Sequence, residues 1–241
     1  MVHPKELFTA VEECVQTSTR LAGKKVLVSA GSTKEYLDPV RYLSNRSSGK
    51  MGIALAREAL RQGAEVSLVL GSANEAAPVN ERLRRIDVTS ADDMHQAMLG
   101  EASDADIIIC AAAVADYRPA QRATTKIKKQ EEQQSIELIQ TPDILAELGQ
   151  MKADGKLKDD LTLVGFAAET DNIEDNVRTK LQHKGADFII ANDVSRTDIG
   201  FESTDNEVRI FSKDMPKVDQ LIPKTSKTQL AHQILDAVVL N

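Results

Sequence analysis

The fold is decided by residues 24–52, KKVLVSAGSTKEYLDPVRYLSNRSSGKMG. The apolar run Val26-Leu27-Val28 predicts a buried strand, and regular structure resumes near Gly49, where apolar residues recur at helical spacing. The connection between this strand and this helix is much longer than the roughly two to six residues that are usual in a βα turn. Long connections inside compact domains are commonly binding loops, so the sequence predicts a ligand at this point.

The composition of the connection indicates an anionic ligand. It supplies hydroxyls, an amide and small residues at the entrance to the helix: Ser44, Asn45, Ser47, Ser48 and Gly49, followed by the cation Lys50. A helix start presents unpaired N–H groups and the positive end of the dipole, which favour phosphate. The spacing is neither that of a P-loop nor that of a dinucleotide fingerprint. A serine-rich cap on a solvated loop explains the same residues, and both interpretations stay open.

Charge and cysteine content exclude several classes of function. The net charge of −7 argues against broad nucleic-acid binding, which requires a basic face. Cys14 and Cys110 give neither a disulfide framework nor zinc spacing, and Cys110, inside an apolar run, is expected to be a buried structural thiol. No segment approaches the roughly 18 apolar residues of a membrane span, so we expect a soluble, cytoplasmic protein that does not bind membranes.

Apolar runs and helical patterns alternate along the rest of the chain. The predicted strands after the first lie near residues 65–70, 83–88, 105–113, 136–138, 161–166, 187–191 and 207–211, and the predicted helices near 92–99, 142–151, 172–184 and 227–239. This alternation predicts an α/β fold with a doubly wound, mostly parallel, Rossmann-like sheet. We expect a helix or linker over 1–23, one domain over 24–241, a small β arm within 200–225 and a flexible Lys-rich flap over 121–134.

Polar clusters follow several of the predicted strands. They lie at 31–33, 112–116, 168–170 and 192–193, directly after apolar runs. Ligands of such sheets collect outside the carboxyl ends of the strands. The pattern therefore predicts a binding protein, and most simply an enzyme, for a phosphate-bearing ligand.

Five motifs in order resemble those of phosphopantothenate–cysteine ligase, also called phosphopantothenoylcysteine synthetase, of bacterial coenzyme A biosynthesis. They are GSTKEYLDPVRYLSNRSSGKMG (31–52), AAAVADYRP (111–119), KIKK (126–129), GFAAET (165–170) and AND (191–193). The chain departs from the family at Ser32, where a second Gly or a Pro is frequent.

The resemblance implies a ligase with two half-reactions. CTP, with Mg2+, converts the carboxylate of 4′-phosphopantothenate to an acyl-cytidylate with loss of pyrophosphate. The amine of L-cysteine then attacks the acyl carbon and releases CMP, giving 4′-phosphopantothenoylcysteine. This chemistry needs no enzyme nucleophile, so positioning and electrostatic preorganisation carry it.

Roles for particular residues follow from the resemblance. Asn45 is expected to contact the acyl group in the second half-reaction, and Lys126 to contact the activated phosphate from a closing flap. Residues Ser47, Ser48, Gly49 and Lys50 are expected around the substrate's phosphate or acyl group. On residue type alone, an Asn in a loop turn and a Lys-rich solvated face remain ordinary explanations.

The resemblance also implies a nucleotide site. Its expected residues, besides Lys126, are Cys110, Ala111, Ala112, Asp116, Thr141, Pro142, Asp143, Ile144, Phe166, Lys180 and Lys184. Lys180 and Lys184, at i and i+4 on a helix, can direct two cations at a triphosphate, although such a pair is also typical of a solvated helix face. No protein side chain is assigned to the metal.

The resemblance also implies an oligomeric state and a fusion partner, and two alternative functions stay open. Members of the family are dimeric, which implies a homodimer with the β arm as its candidate interface. Many members are fused to a phosphopantothenoylcysteine decarboxylase, so the chain is either a stand-alone ligase or one half of a bifunctional protein. An NAD(P)-dependent reductase is the alternative enzyme, though the glycine fingerprint is missing, and a non-catalytic nucleotide-binding module is the third hypothesis.

Overall fold

The computed structural model describes residues 19–129, 135–169, 172–193, 205–214 and 220–239. Within them lie twelve strands and five helices. The strands are β1 Lys25–Ala30, β2 Glu35–Tyr36, β3 Tyr42–Leu43, β4 Glu65–Leu70, β5 Leu83–Asp87, β6 Ile107–Cys110, β7 Tyr117–Pro119, β8 Leu138–Gln140, β9 Thr162–Glu169, β10 Phe188–Asp193, β11 Asp205–Ser212 and β12 Gln220–Ser226. The helices are α1 Lys50–Arg61, α2 Ala91–Ala102, α3 Ile144–Ala153, α4 Ile173–Lys184 and α5 Lys227–Val239.

Eight of these strands form the central sheet, in the order β12-β11-β10-β9-β6-β1-β4-β5. Neighbours from β10 to β5 are parallel. Strand β11 is antiparallel to both of its neighbours, β10 and β12. The predicted doubly wound, mostly parallel fold is confirmed. The segment expected as a small β arm supplies β11 and β12, which extend this sheet at its edge instead of forming a separate unit.

The apolar runs form strands because both faces of the sheet are covered. Along β1, Val26 and Val28 point into one core cluster and Leu27 into the other. Helices α1 and α5 cover the first face, and α2, α3 and α4 cover the second. Alternating side chains are thus buried on both sides, as expected for parallel strands.

Some boundaries differ from the expectation. The strand predicted over 105–113 ends at Cys110, after which Ala112 N donates to Ser29 Oγ at 3.2 Å and leaves the ladder. Helix α3 begins one residue after Asp143, whose side chain accepts from Ala146 N at 3.0 Å, so Pro142 precedes the helix. Asn192 and Asp193 belong to β10. The helix expected over 1–23 lies mostly outside the described residues.

Two small hairpins stand above the carboxyl ends of the strands. β2 pairs with β3 inside the long β1–α1 connection, and β7 pairs with β8. The segment between β7 and β8 is the predicted Lys-rich flap, of which residues 130–134 lie outside the described part of the chain. The flap is therefore the loop of a hairpin, and both of its ends are fixed by strand pairing.

Candidate ligand-binding site at the carboxyl ends of the strands

The long β1–α1 connection folds back over the carboxyl end of β6. Ser44 Oγ donates to Thr33 O at 2.6 Å, and Asn45 Nδ2 donates to Val114 O at 2.8 Å. The buried hydroxyl of Thr33 in turn accepts from Ala115 N at 3.0 Å. These bonds hold the motif at 31–52 against the motif at 111–119, as their common placement at strand ends predicts.

The start of α1 is open at its amino end. Gly49 is the N-cap residue, with a left-handed φ of 74°, and no side chain caps the helix there. Gly52 lies so close to β1 that an added Cβ would stand 2.5 Å from Ala30 Cβ. The two glycines therefore let the helix start approach the strand end, with Lys50 as its first residue. This geometry suits an anion.

Two adjoining cavities lie at this edge of the sheet. Cavity A has a volume of about 460 Å³ and cavity B one of about 590 Å³, both of the size that holds a small ligand. Five residues line both: Ala112, Val114, Asp116, Phe166 and Lys180. The two cavities therefore share a wall and can hold two parts of one ligand, or two reactants.

Most of the residues expected at the site line one of these cavities. Besides the shared residues, cavity A takes the acyl and phosphate set together with one further residue of the nucleotide set: Asn45, Ser47, Ser48, Gly49, Lys50 and Ala111. Cavity B takes much of the nucleotide set: Cys110, Thr141, Pro142, Asp143, Ile144 and Lys184. Residues from four separate motifs are thus brought to one edge of the sheet.

The two helix lysines are engaged with carboxylates. Lys180 Nζ lies 2.5 Å from Glu169 Oε1, and Glu169 is largely buried at the end of β9. Lys184 is paired with Asp143, the N-cap residue of α3. A phosphate in these cavities would have to compete with Glu169 and Asp143 for the two cations. Sequence spacing gave no sign of these pairs, because the partners come from other elements.

Cys110 is partly exposed, and the thiol that the sequence predicts to be buried borders cavity B. Its surroundings are nevertheless apolar. Burial, together with the nearby carboxylate of Asp143, raises the pKa of the Cys110 thiol to about 12. The thiol is therefore protonated at neutral pH, and it lines the cavity as a small, uncharged side chain.

Lys126 stands apart from the other expected site residues. Its side chain is exposed and lines neither cavity. Its neighbour Ile127 is held by both polar groups of its backbone: Ile127 N donates to Asp38 Oδ2 at 3.1 Å, and Arg41 Nη2 donates to Ile127 O at 2.9 Å. The flap is therefore tied to the β1–α1 connection one residue from Lys126.

Asp38 is the centre of this tie. Its carboxylate is inaccessible to solvent and accepts hydrogen bonds from the backbone N–H groups of Val40 and Arg41, each at 2.8 Å. It also pairs with the Arg41 guanidinium at 2.6 Å. Burial alone would raise the pKa of Asp38, but the Arg41 side chain and three backbone donors hold it well below its usual range. We call Asp38, Arg41 and Ile127 the flap clasp.

Sequence reasoning missed Lys227, the first residue of α5. Its side chain lines cavity A although the residue is only 7% exposed. Burial, and repulsion from Lys50, lower its pKa to about 8. Asn192 and Asn206 line the same cavity, and Asn192 Oδ1 is buried without a hydrogen-bond partner within the described structure. Only the AND motif gave a signal, and only for Asn192.

Within the described ranges, no three His, Cys, Asp or Glu side chains group as a metal site. Helices in the same part of the chain are all too short or too polar to cross a bilayer.

A mostly parallel sheet with a glycine-opened helix start and two cavities at its carboxyl edge defines an α/β small-ligand-binding domain. The chain belongs to the family described as DNA/pantothenate metabolism flavoprotein C-terminal domain, which it matches over residues 21–240.

Relatives and solved structures agree with this membership. The coenzyme A biosynthesis bifunctional protein CoaBC of Vibrio vulnificus is 41% identical over 240 residues, which cover 99% of this chain and 57% of that protein. A crystal structure of the C-terminal domain of a bifunctional protein CoaBC superposes with a TM-score of 0.75 at 38% identity, covering 92% of this chain and 97% of that one. A Cab2 mutant in complex with phosphopantothenate-cysteine shares the fold, with a TM-score of 0.71 at 17% identity over 98% of this chain and 90% of that one.

The share of the related protein that this chain covers differs between the two CoaBC comparisons. The chain spans little more than half the length of the bifunctional relative, but nearly the whole of the separately solved C-terminal domain. The matched region therefore corresponds to the C-terminal domain of such a bifunctional protein.

Proposed function

We propose that the chain catalyses the CTP-dependent ligation of 4′-phosphopantothenate to L-cysteine, a step of coenzyme A biosynthesis. The observation that carries the proposal is the pair of adjoining cavities lined by the family's motifs, on a chain that matches the family over residues 21–240. The names of the bifunctional relatives and the ligand of the Cab2 complex support the same pathway and substrate class.

The two cavities suit a reaction between two bound partners. The carboxylate of 4′-phosphopantothenate attacks the α-phosphorus of CTP, and the bond to pyrophosphate breaks. The cysteine nitrogen then attacks the acyl carbon, loses a proton and displaces CMP. In our assignment the nucleoside occupies cavity B, the acyl group lies beside Asn45, and the shared wall brings the α-phosphorus to the carboxylate.

Asn45 and Lys126 have different tasks in this proposal. The Asn45 amide lies at the rim of cavity A, where it can donate to a carbonyl or oxyanion without adding charge. Lys126 acts from the flap and must move over the cavities to reach a phosphate, because its side chain lines neither of them. The side chains of Ala111 and Ala112 are small, so the ligand can approach the backbone there.

Mg2+ is expected with the triphosphate. The ion usually keeps several waters and binds substrate phosphates through one or two carboxylates, so it requires no dedicated cage of side chains. Asp116 lines both cavities and offers such a carboxylate. When bound, the ion would neutralise charge on the transferring phosphate.

Partners and location are part of the proposal. We propose a cytoplasmic homodimer that works with, or is joined to, a phosphopantothenoylcysteine decarboxylase, as the names of the bifunctional relatives suggest. The β arm within 200–225, which supplies β11 and the edge strand β12, is one candidate interface. The exposed apolar side chains of Val40, Tyr42, Tyr117 and Leu138 on the two small hairpins form a second candidate surface.

Pyrophosphate release tests the proposal. With CTP and 4′-phosphopantothenate both present, release should begin before cysteine is added, and CMP should appear only after cysteine. ATP in a parallel titration measures the preference for the base. Absence of release with every triphosphate tried would rule out the ligase, and a chain-dependent change in NAD(P)H absorbance would favour the reductase instead.

Two flap variants sharpen this test. Lys126→Gln should slow the pyrophosphate burst, whereas Lys128→Gln, a matched change on the same exposed segment, should leave it unaltered. Equal bursts from both variants would contradict the role given to Lys126.

A further inference from the structure

Most of the charged side chains that line cavity A are cations. The protein as a whole has a net charge of −7, yet the lining of this cavity contains four cations, Arg46, Lys50, Lys180 and Lys227, and one carboxylate, that of Asp116. Lys180 is paired with Glu169, which lies outside the lining. In cavity B, two lysines face two aspartates. Cations therefore outnumber carboxylates in the lining of cavity A and not in that of cavity B, and a cationic lining attracts an anion.

Two of these lysines are the first residues of helices that start at cavity A. Lys50 is the first residue of α1 and Lys227 the first residue of α5, and neither helix has an acidic residue in its first turn. The three helices on the opposite face of the sheet carry acidic residues there: Asp92 and Asp93 in α2, Glu147 in α3, and Glu174 and Asp175 in α4. A cation at a helix start opposes the dipole, so both lysines occupy unfavourable positions in the empty site.

Lys227 is also placed rigidly. It follows β12 without a loop, and Ser226 Oγ accepts from Gln229 N at 3.3 Å. Five apolar residues of α5 are buried in the core cluster that α1 shares: Leu230, Ala231, Ile234, Leu235 and Val238. The backbone of Lys227 is therefore fixed, and its movement cannot carry the ammonium group into solvent.

We propose that Lys227 is a further binding residue of the ligase site, which acts with Lys50 on one phosphate group of the ligand in cavity A. The inference rests on the proposed function for the identity of the ligand. The phosphate comes either from the triphosphate of the nucleotide or from the 4′-phosphate of the substrate. Both carry the same chemistry, and binding of each separately tells them apart.

Burial of a lysine next to another lysine costs stability when the site is empty. The anion repays this cost when it binds, since its charge stabilises both ammonium groups. Burial and Lys50 lower the pKa of Lys227 to about 8, while Glu75 acts in the opposite direction. Glu75 lies 3.5 Å from Arg57, and Asp205 is opposite Ser226 in the β11–β12 pairing. A bound phosphate should therefore draw a proton onto Lys227 above pH 8.

Isothermal titration calorimetry with inorganic pyrophosphate, CTP and 4′-phosphopantothenate tests the role of Lys227. In Lys227→Met, affinity for pyrophosphate and for at least one of the two phosphate-bearing substrates should fall by about tenfold or more, as for a lost charged hydrogen bond. The matched control is Lys224→Met, an exposed lysine on β12, which should bind as the wild type does. The substrate whose affinity falls is the source of the phosphate.

Thermal unfolding separates binding from a structural role. The ligand-free Lys227→Met variant should melt at the same temperature as the wild type or higher, and it should lose the upward shift that pyrophosphate gives the wild type. A lower melting temperature together with an unchanged shift would assign Lys227 to the fold alone and overturn the proposal.

Proton uptake gives a readout on the wild type itself. At pH 8.5, titrations in two buffers of different ionisation enthalpy should reveal uptake of protons on binding pyrophosphate, and Lys227→Met should remove it. No uptake, or equal affinity of variant and wild type, overturns the role of Lys227. A chain that binds pyrophosphate through Lys227 yet releases none from CTP would refute the ligase and leave the phosphate site standing.

Discussion

The side-chain amide of Asn45 donates to the carbonyl of Val114 at 2.8 Å, and this bond joins the β1–α1 connection to the segment that follows β6. The amide thus meets a backbone acceptor within the site before any substrate is present. Its second N–H and its own oxygen remain for a ligand, which is the capacity expected of a side chain that orients an acyl group.

Asn45→Asp should impair the second half-reaction. A carboxylate cannot donate to Val114 O or to an acyl oxygen, so the acyl-cytidylate should accumulate while formation of the cysteine adduct slows. Mass spectrometry of quenched reactions measures the anhydride directly. Asn80→Asp, an exposed turn residue outside both cavities, is the control. Normal product formation without a build-up of anhydride would remove Asn45 from this role.

Asp38→Asn should act through Lys126. The substitution removes the charge that holds Arg41 and weakens the flap clasp at Ile127. Lys126→Gln is expected to slow the burst by roughly 100-fold, as when one donor to developing charge is lost. Adding Asp38→Asn to Lys126→Gln should cause little further loss. Independent, multiplicative effects on the burst rate would mean that the clasp does not position Lys126.

Acid should remove the contribution of Glu58 to stability. Burial would raise the pKa of Glu58, but hydrogen bonds from Arg61, Gln62 and His232 lower it below its usual value. A depressed carboxyl pKa stabilises the fold above the unfolded pKa, and this contribution is lost as the pH falls through the folded value. Glu58→Gln should therefore cost about 1–3 kcal/mol near neutral pH.

Thermal unfolding from pH 7 down to pH 3 checks this prediction. The curves of wild type and Glu58→Gln should converge as the pH drops, whereas the exposed control Glu81→Gln should track the wild type throughout. A gap that stays constant over the whole range would show that ionisation of Glu58 is not the cause.

Gly52→Ala should disturb the start of α1. The added methyl would stand 2.5 Å from Ala30 Cβ and 3.0 Å from Ser29 O, so the helix must move away from β1. We expect a loss of about 1–3 kcal/mol, typical of overpacking, together with weaker pyrophosphate binding. Gly100→Ala on α2 meets nothing within 4 Å and should instead stabilise the fold slightly. Chemical denaturation of both variants compares them.

The layered fold could be predicted from the sequence because parallel strands that are buried on both faces have continuous apolar sequences. Val26-Leu27-Val28 and Ile107-Ile108-Ile109 divide their side chains between the two core clusters in this manner. The rule that ligands lie at the carboxyl ends of the strands then predicted the sheet edge at which the two cavities lie. The edge pairing of β11 and β12 could not be predicted, because register with β10 depends on contacts between distant segments.

Two features of the site depend on such distant contacts. Lys227 reads as an ordinary lysine before an amphipathic helix, and only the packing of α5 beside α1 buries it in cavity A. The spacing of Lys180 and Lys184 is typical of a solvated basic pair on a helix. In the structure they form ion pairs with Glu169 of β9 and with Asp143 at the start of α3. Helical spacing predicts which residues share a face, and it does not predict what that face meets.

The position of α5 bears on how the protein is made. Cavity A takes one wall from α1, early in the chain, and another from the residue that begins the last described helix. During synthesis the parallel strands and α1 emerge from the ribosome well before Lys227 does. The core face covered by α5 and cavity A are therefore completed together, and small molecules that rescue destabilised variants through cavity A would act only after translation has passed α5.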